Sequence, residues 1–150
     1  MRIFQGSGFA IDLPEKCQDA TSYTFLLPTE KQFTPYITVK FEKVTDKEDL
    51  AAYSEKQEKM LEKNIDDFEY IERVAGKQEG HDVIISMVQW GKGEASICQR
   101  FVYLYNIHKN YQRIYTITCT DLVDHFEHSL PIMNRIIKTF KPVNMQVYDA

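Results

Sequence analysis

Apolar residues in this chain recur at two periods. From Val83 to Cys119 they alternate with polar ones as a strand requires, whereas around Leu50–Leu61 and Leu122–Phe140 they recur at helical spacing. The alternating stretch, GHDVIISMVQWGKGEASICQRFVYLYNIHKNYQRIYTITCT from Gly80, is broken by Lys92-Gly93 and Lys109-Asn110. Gly and Asn accept the positive φ of tight hairpins, so the pattern predicts a three-stranded antiparallel meander over residues 83–90, 95–107 and 111–119. With two-residue turns, Val88 faces Ile97, Ile84 faces Phe101 and Tyr105 faces Ile114. One face then carries Val83, Ile85, Met87, Cys98, Val102, Leu104, Tyr115, Ile117 and Cys119, a dry aliphatic set. The other carries Ile84, Ser86, Val88, Trp90, Ile97, Gln99, Phe101, Tyr103, Tyr105, Ile114, Thr116 and Thr118, which mixes aromatics with hydrogen-bonding groups. A one-residue slip would exchange the two sets.

Upstream, Phe9–Leu13 alternates and stops at Pro14, and Thr21–Leu27 alternates Ser22, Thr24 and Leu26 against Tyr23, Phe25 and Leu27 before Pro28. Its Ser/Thr side matches the mixed face, and its aromatic side suits the core. Tyr36–Phe41 places Ile37, Val39 and Phe41 on one side, but the preceding connection leaves its register open. Thr45 or Asp46 reads as an N-cap, with Glu48 completing a capping box. The following helix has a stripe of Leu50, Tyr53, Gln57, Met60 and Leu61, while Glu55, Glu58, Lys59 and Glu62 read as a solvated face. Residues 68–75 form a further strand. Asp121 is the expected cap of a helix over 122–140 that Pro131 should kink or restart. The tail, 143–150, is expected to fray.

The predicted fold is α+β, one domain over 1–150, with a twisted, mainly antiparallel sheet of six to seven strands. Two helices are too few to cover both faces of such a sheet. They are expected to share the aliphatic face and leave the mixed, concave face open; the alternative is a helix layer over the mixed face. An apolar face left bare marks an interaction site. The candidate partner-binding residues are Ser22, Thr24, Ile37, Val39, Ile84, Ser86, Val88, Trp90, Gln99, Phe101, Tyr103, Tyr105, Ile114 and Thr116.

Composition narrows the classes. With 150 residues, 43% hydrophobic, the chain supports one sizeable core. The net charge of −4 and the scattered Lys and Arg argue against a nucleic-acid partner. No basic and apolar leader precedes FAIDLP, and no apolar run suits a bilayer span, so a cytoplasmic protein without direct membrane insertion is expected. Three cysteines fit reduced thiols, with Cys98 and Cys119 as small hydrophobes. His125 and His128 lie three apart without an HExxH order, and no GxSxG or phosphate loop is present. No enzyme, metal or cofactor is expected.

The stretch FAIDLPEKCQDATSYTFLLP, with Leu13-Pro14, Cys17-Gln18-Asp19 and Phe25-Leu26-Leu27-Pro28, resembles the opening of the DcrB-related family. Val88-Gln89-Trp90, Gln99 and the helix start at His125 and Glu127 are similar to it too, so the resemblance spans residues 3–142. Cys17 stands where a Trp is usual, and Ser22 and Thr24 are more polar than usual. Within that family the chain looks most like the Eag chaperones of type VI secretion. The resemblance implies a PsbP-like fold, a homodimer, and a role in shielding the N-terminal transmembrane helices of a PAAR or Rhs effector before loading on the VgrG spike. A small-ligand or lipid carrier using the same face is the alternative, and a hydrolase or metal enzyme built on His125 and His128 is a third.

Overall fold

The computed structural model describes every residue except 1, 7, 18–19, 45–48, 109–110 and 143–150. The expected frayed tail and the Thr45/Asp46–Glu48 capping box fall outside the described residues.

Two alternating segments, β1 (Arg2–Gly6) and β2 (Phe9–Leu13), pair as a separate two-stranded sheet whose turn contains Gly8 at φ 83. β1 was not predicted. The other strands are β3 (Ser22–Leu26), β4 (Tyr36–Val44), β5 (Glu69–Gln78), β6 (His81–Trp90), β7 (Ile97–His108) and β8 (Tyr111–Leu122). They form one antiparallel sheet in the order β3-β4-β8-β7-β6-β5. The helices are α1 (Leu50–Asn64) and α2 (Phe126–Lys138).

The β7–β8 hairpin has the expected register, with His108 opposite Tyr111. Between β6 and β7 the loop is longer than predicted, because Gly93–Ala95 closes into a 3-10 turn and Gly91 and Gly93 take φ of 91 and 64. Trp90 therefore faces Ile97, and Val88 faces Gln99 rather than Ile97. The slip is two residues, so each side chain keeps its predicted face.

The helices do not share a face. α2 lays Phe126, Met133 and Ile137 on the aliphatic side, against Ile37, Cys98, Val102, Ile117 and Cys119. α1 lies on the mixed side, where Tyr53 packs with Ile84, Val88, Phe101, Tyr103 and Ile114. The expectation of two helices on one face and an open concave face is thus corrected. Hydrophobic burial drives both placements, but α1 reaches its patch through a stripe that includes polar residues. Met60, predicted for that stripe, is exposed.

Two caps also differ from expectation. The Asp49 carboxylate accepts the Ala51 N–H, 3.0 Å away, and caps α1. Asp121 lies within β8, one residue before its end, instead of capping α2. A 3-10 turn, Val123–His125, intervenes, and α2 runs through Pro131 without a break.

Candidate functional site

Strand pairing draws three rows across the mixed face. They run Leu26–Tyr36–Thr120–Gln99–Val88–Tyr70, Thr24–Thr38–Thr118–Phe101–Ser86–Arg73 and Ser22–Lys40–Thr116–Tyr103–Ile84–Ala75. Ser22, Thr24, Thr38 and Thr118 give the β3 side hydrogen-bonding groups beside Leu26, and Phe101, Tyr103, Ile84 and Val88 make the β7–β6 side mainly apolar and aromatic beside Ser86. α1 covers the second part only. Phe101 and Tyr103 are 6% and 1% exposed beneath it, and Ile84, Ser86, Val88, Ile114 and Thr116 are buried as well. Trp90 and Tyr105 are half-buried at the margin of the patch, where Trp90 stacks on Phe68 at 6.4 Å and the Tyr105 hydroxyl donates to Gln112.

The part over β3 and β4 is the more open one; on β8 Thr116 and Thr120 are buried and Thr118 is half-buried. Ser22, Thr24, Leu26 and Lys40 are exposed, and Tyr36, Thr38, Thr118 and Gln99 are half-buried. Thr24 and Thr38 share a hydrogen bond of 3.3 Å, and the Gln99 amide donates to Thr120 Oγ1 at 2.9 Å. Of the predicted site residues, Ser22 and Thr24 therefore lie on open surface, and Gln99 is half-buried at its border. Ile37 and Val39 do not belong to this face. Ile37 pairs with Cys119 and Val39 with Ile117, which turns both toward α2. Ile84, Ser86, Val88, Phe101, Tyr103, Ile114 and Thr116 share the predicted face but are sealed within the chain.

Strand β3 carries the apolar surface that the pattern analysis assigned to the core. Tyr23 and Phe25 point to the α2 side yet are 59% and 56% exposed, because β3 is an edge strand. Leu26, on the other side of the strand, is 70% exposed. Ile132 and Ile136, also exposed, lie on the flank of α2 that bears Ser129, the flank turned to the Leu27–Pro35 segment after β3.

Beneath α1 sits a polar cluster that the sequence did not reveal. Glu58, read as solvated, is 0% exposed. Its Oε2 accepts from Tyr103 Oη at 3.1 Å and Ser86 Oγ at 3.2 Å, and lies 3.0 Å from Arg73 Nη2. Glu58 Oε1 has no hydrogen-bond partner among the described residues. Glu55 meets the same guanidinium at 3.2 Å, and Tyr53 Oη donates to Glu42 at 2.9 Å. Burial, followed by the charge of Glu58, pushes the Tyr103 phenol well above the usual tyrosine range.

His125 and His128 both line a cavity of about 190 Å³, with Lys31, Phe33, Asp121 and Ser129. Ser129 donates its hydroxyl to Asp121, which also accepts the Leu122 N–H at 2.7 Å. The serine proton is thus engaged by a carboxylate, and no described hydrogen bond joins Ser129 to a histidine. Burial lifts the Cys98 thiol to about 11, with the Asp121 charge adding to it, and lifts Cys119 to about 12 against the opposing pull of Arg100. Both are inert as nucleophiles at neutral pH.

Comparison with known proteins follows the same outline. The family model described as DcrB matches residues 9–139. Among solved structures, a protein of unknown function from Pseudomonas aeruginosa, PA94, described as a regulator, superposes with a TM-score of 0.72 at 18% identity, covering 97% of this chain and 99% of that one. LpqN of Mycobacterium tuberculosis, described as involved in cell envelope biogenesis, gives 0.56 at 13% identity over 79% of this chain and 82% of its own. The cyanobacterial PsbP protein of Synechocystis gives 0.52 at 8% identity, over 92% and 100%, so the PsbP-like α+β fold is shared. No curated protein matches the sequence.

Proposed function

The chain belongs to the DcrB family, and on that footing we propose that it is a non-catalytic chaperone or adaptor that docks apolar helices of a partner protein. In the finer reading it is of the Eag type. It shields the N-terminal transmembrane helices of a PAAR or Rhs effector in the cytoplasm and assists loading on VgrG.

The observation that carries this reading is the β3 edge, with Tyr23 and Phe25 exposed on one side and Leu26 on the other, bordered by the hydrogen-bonding strip of Gln99, Thr24, Thr38 and Thr118. Natural sheets avoid exposed hydrophobic edges unless something covers them. A transmembrane helix needs about 20 apolar residues kept from water and carries small or polar groups where it packs. The β3 edge offers the first kind of contact, and the strip offers the second. The exposed fractions of Tyr23, Phe25 and Leu26 would supply roughly 1 kcal/mol or more each on burial. That sum falls short of association costs of at least about 4 kcal/mol with useful affinity to spare. A homodimer that presents two such edges to one client meets the need.

Co-expression with an effector bearing apolar N-terminal helices tests the proposal: Phe25→Asp with Leu26→Asp should lower client solubility and co-purification. An unchanged client would contradict it.

A further inference from the structure

We propose that α1 is a releasable lid, and that the aromatic patch beneath it is a second docking place for an apolar helix of the partner. This rests on the proposed function and names where a second client helix would sit.

Width is the first argument. Neighbouring strands lie about 4.8 Å apart, so the strip from exposed β3 across β4 to the half-buried Thr118 of β8 is about 10 Å wide, at most the diameter of one helix. The whole six-stranded face is about 24 Å wide and would seat two. The rows are continuous, since Thr118 adjoins Phe101 and Thr116 adjoins Tyr103. A client with paired helices therefore fills the face only if α1 leaves it.

The hold on α1 is the second. Its fully buried residues are Tyr53, Ser54 and Glu58, whereas those of α2 are Phe126, Met133 and Ile137. α1 is held by Tyr53, with Leu50, Ala51 and Leu61 half-buried beside it, and by polar contacts centred on Glu58 Oε2, while Glu58 Oε1 has no partner among the described residues. Buried ion pairs contribute little net stability, and an unpartnered buried acceptor detracts from it. The latch is specific but weak.

The surface below is the third. Ile84, Val88, Phe101 and Ile114 are apolar, and Ser86 and Tyr103 supply two hydroxyls. A helix with apolar residues where α1 has Ser54 and Glu58, and with one polar group for those hydroxyls, would bury more apolar area than α1 does. That difference in affinity is what an exchange of occupants requires.

Hydrogen exchange and peptide binding test this on the full chain. The probes are Lys-flanked Leu/Ala helices of about 20 residues, as single copies and as a tandem hairpin. Arg73→Met strands the Glu58 charge, and should raise exchange in residues 50–64 at least about tenfold with β7 and β8 unchanged. The tandem probe should then bind more tightly. Glu58→Met should slow exchange in α1 and weaken tandem binding while the single helix binds as before. Exchange rising together in α1, β7 and β8 of Arg73→Met, or tandem binding indifferent to both variants, would overturn the lid. Failure of the wild-type protein to bind even the single helix would overturn the docking function itself, and the exchange pattern would still report separately on α1.

Discussion

Tyr103 Oη lies 3.1 Å from Glu58 Oε2, joining the middle of the sheet to the inner side of α1. Spacing alone placed that glutamate in solvent. The contact gives the helix an orientation that its apolar stripe does not fix, because Leu50 and Leu61 are only half-buried. Tyr103→Phe removes the donor while Arg73 and Ser86 remain. A cost of about 1–2 kcal/mol is expected, read as a lower urea midpoint with the slope unchanged.

Substitutions on the two parts of the mixed face should separate folding from binding. Phe101→Ala creates a cavity under α1 and should cost about 3–5 kcal/mol. Loss of client with a Phe101 variant would therefore not by itself report lost docking. Phe25→Asp touches an exposed side chain and should leave stability within about 0.5 kcal/mol. Thermal melts of the two variants check the contrast.

Alkaline pH should loosen the core. The Cys98 and Cys119 thiols are held to about 11 and about 12 in the fold, against 9.0 ordinarily. Between those values the unfolded chain has lost protons that the folded chain keeps, so stability is full below pH 9 and falls as pH rises through 9 to 12. Cys119→Ala should flatten that fall in a pH series of urea midpoints. A thiol reagent at pH 8 should label the half-buried Cys17 readily and the other two only on unfolding.

The β6–β7 loop depends on one glycine. Gly91 has φ 91, and a Cβ there would come within 3.3 Å of the Ser96 backbone. Gly91→Ala should cost about 1–3 kcal/mol, seen as a lower melting temperature, whereas an alanine at Gly76 meets only ordinary contact at 3.8 Å.

Much of this was legible in the sequence, and the exceptions share a cause. Period-two alternation gave the meander and its faces even where the turn was misjudged, since the longer Gly91–Ser96 loop slid the pairing by an even step. The stripe Phe126, Leu130, Met133 and Ile137 announced how α2 would pack. α1 was harder, because Glu58 and Ser54 are polar and nothing local says that Arg73 and Ser86 wait across the sheet to receive the carboxylate. Ile37 and Val39 went to the wrong face for want of a turn to fix β4. Tyr23 and Phe25 looked like core because alternation records which side a residue faces, and only sheet order shows that β3 is an edge. Gly6 ends β1 and Gly8 lies in the turn before β2, a pair of glycines that could have revealed β1.

Docking of an apolar helix on the β3 edge is most directly tested by titrating a fluorescent, Lys-flanked Leu/Ala helix into the full chain without detergent. Saturable binding is expected, weakened at least about tenfold by Phe25→Asp with Leu26→Asp at an unchanged far-UV spectrum. No saturable binding, or equal affinity for the two proteins, would contradict it.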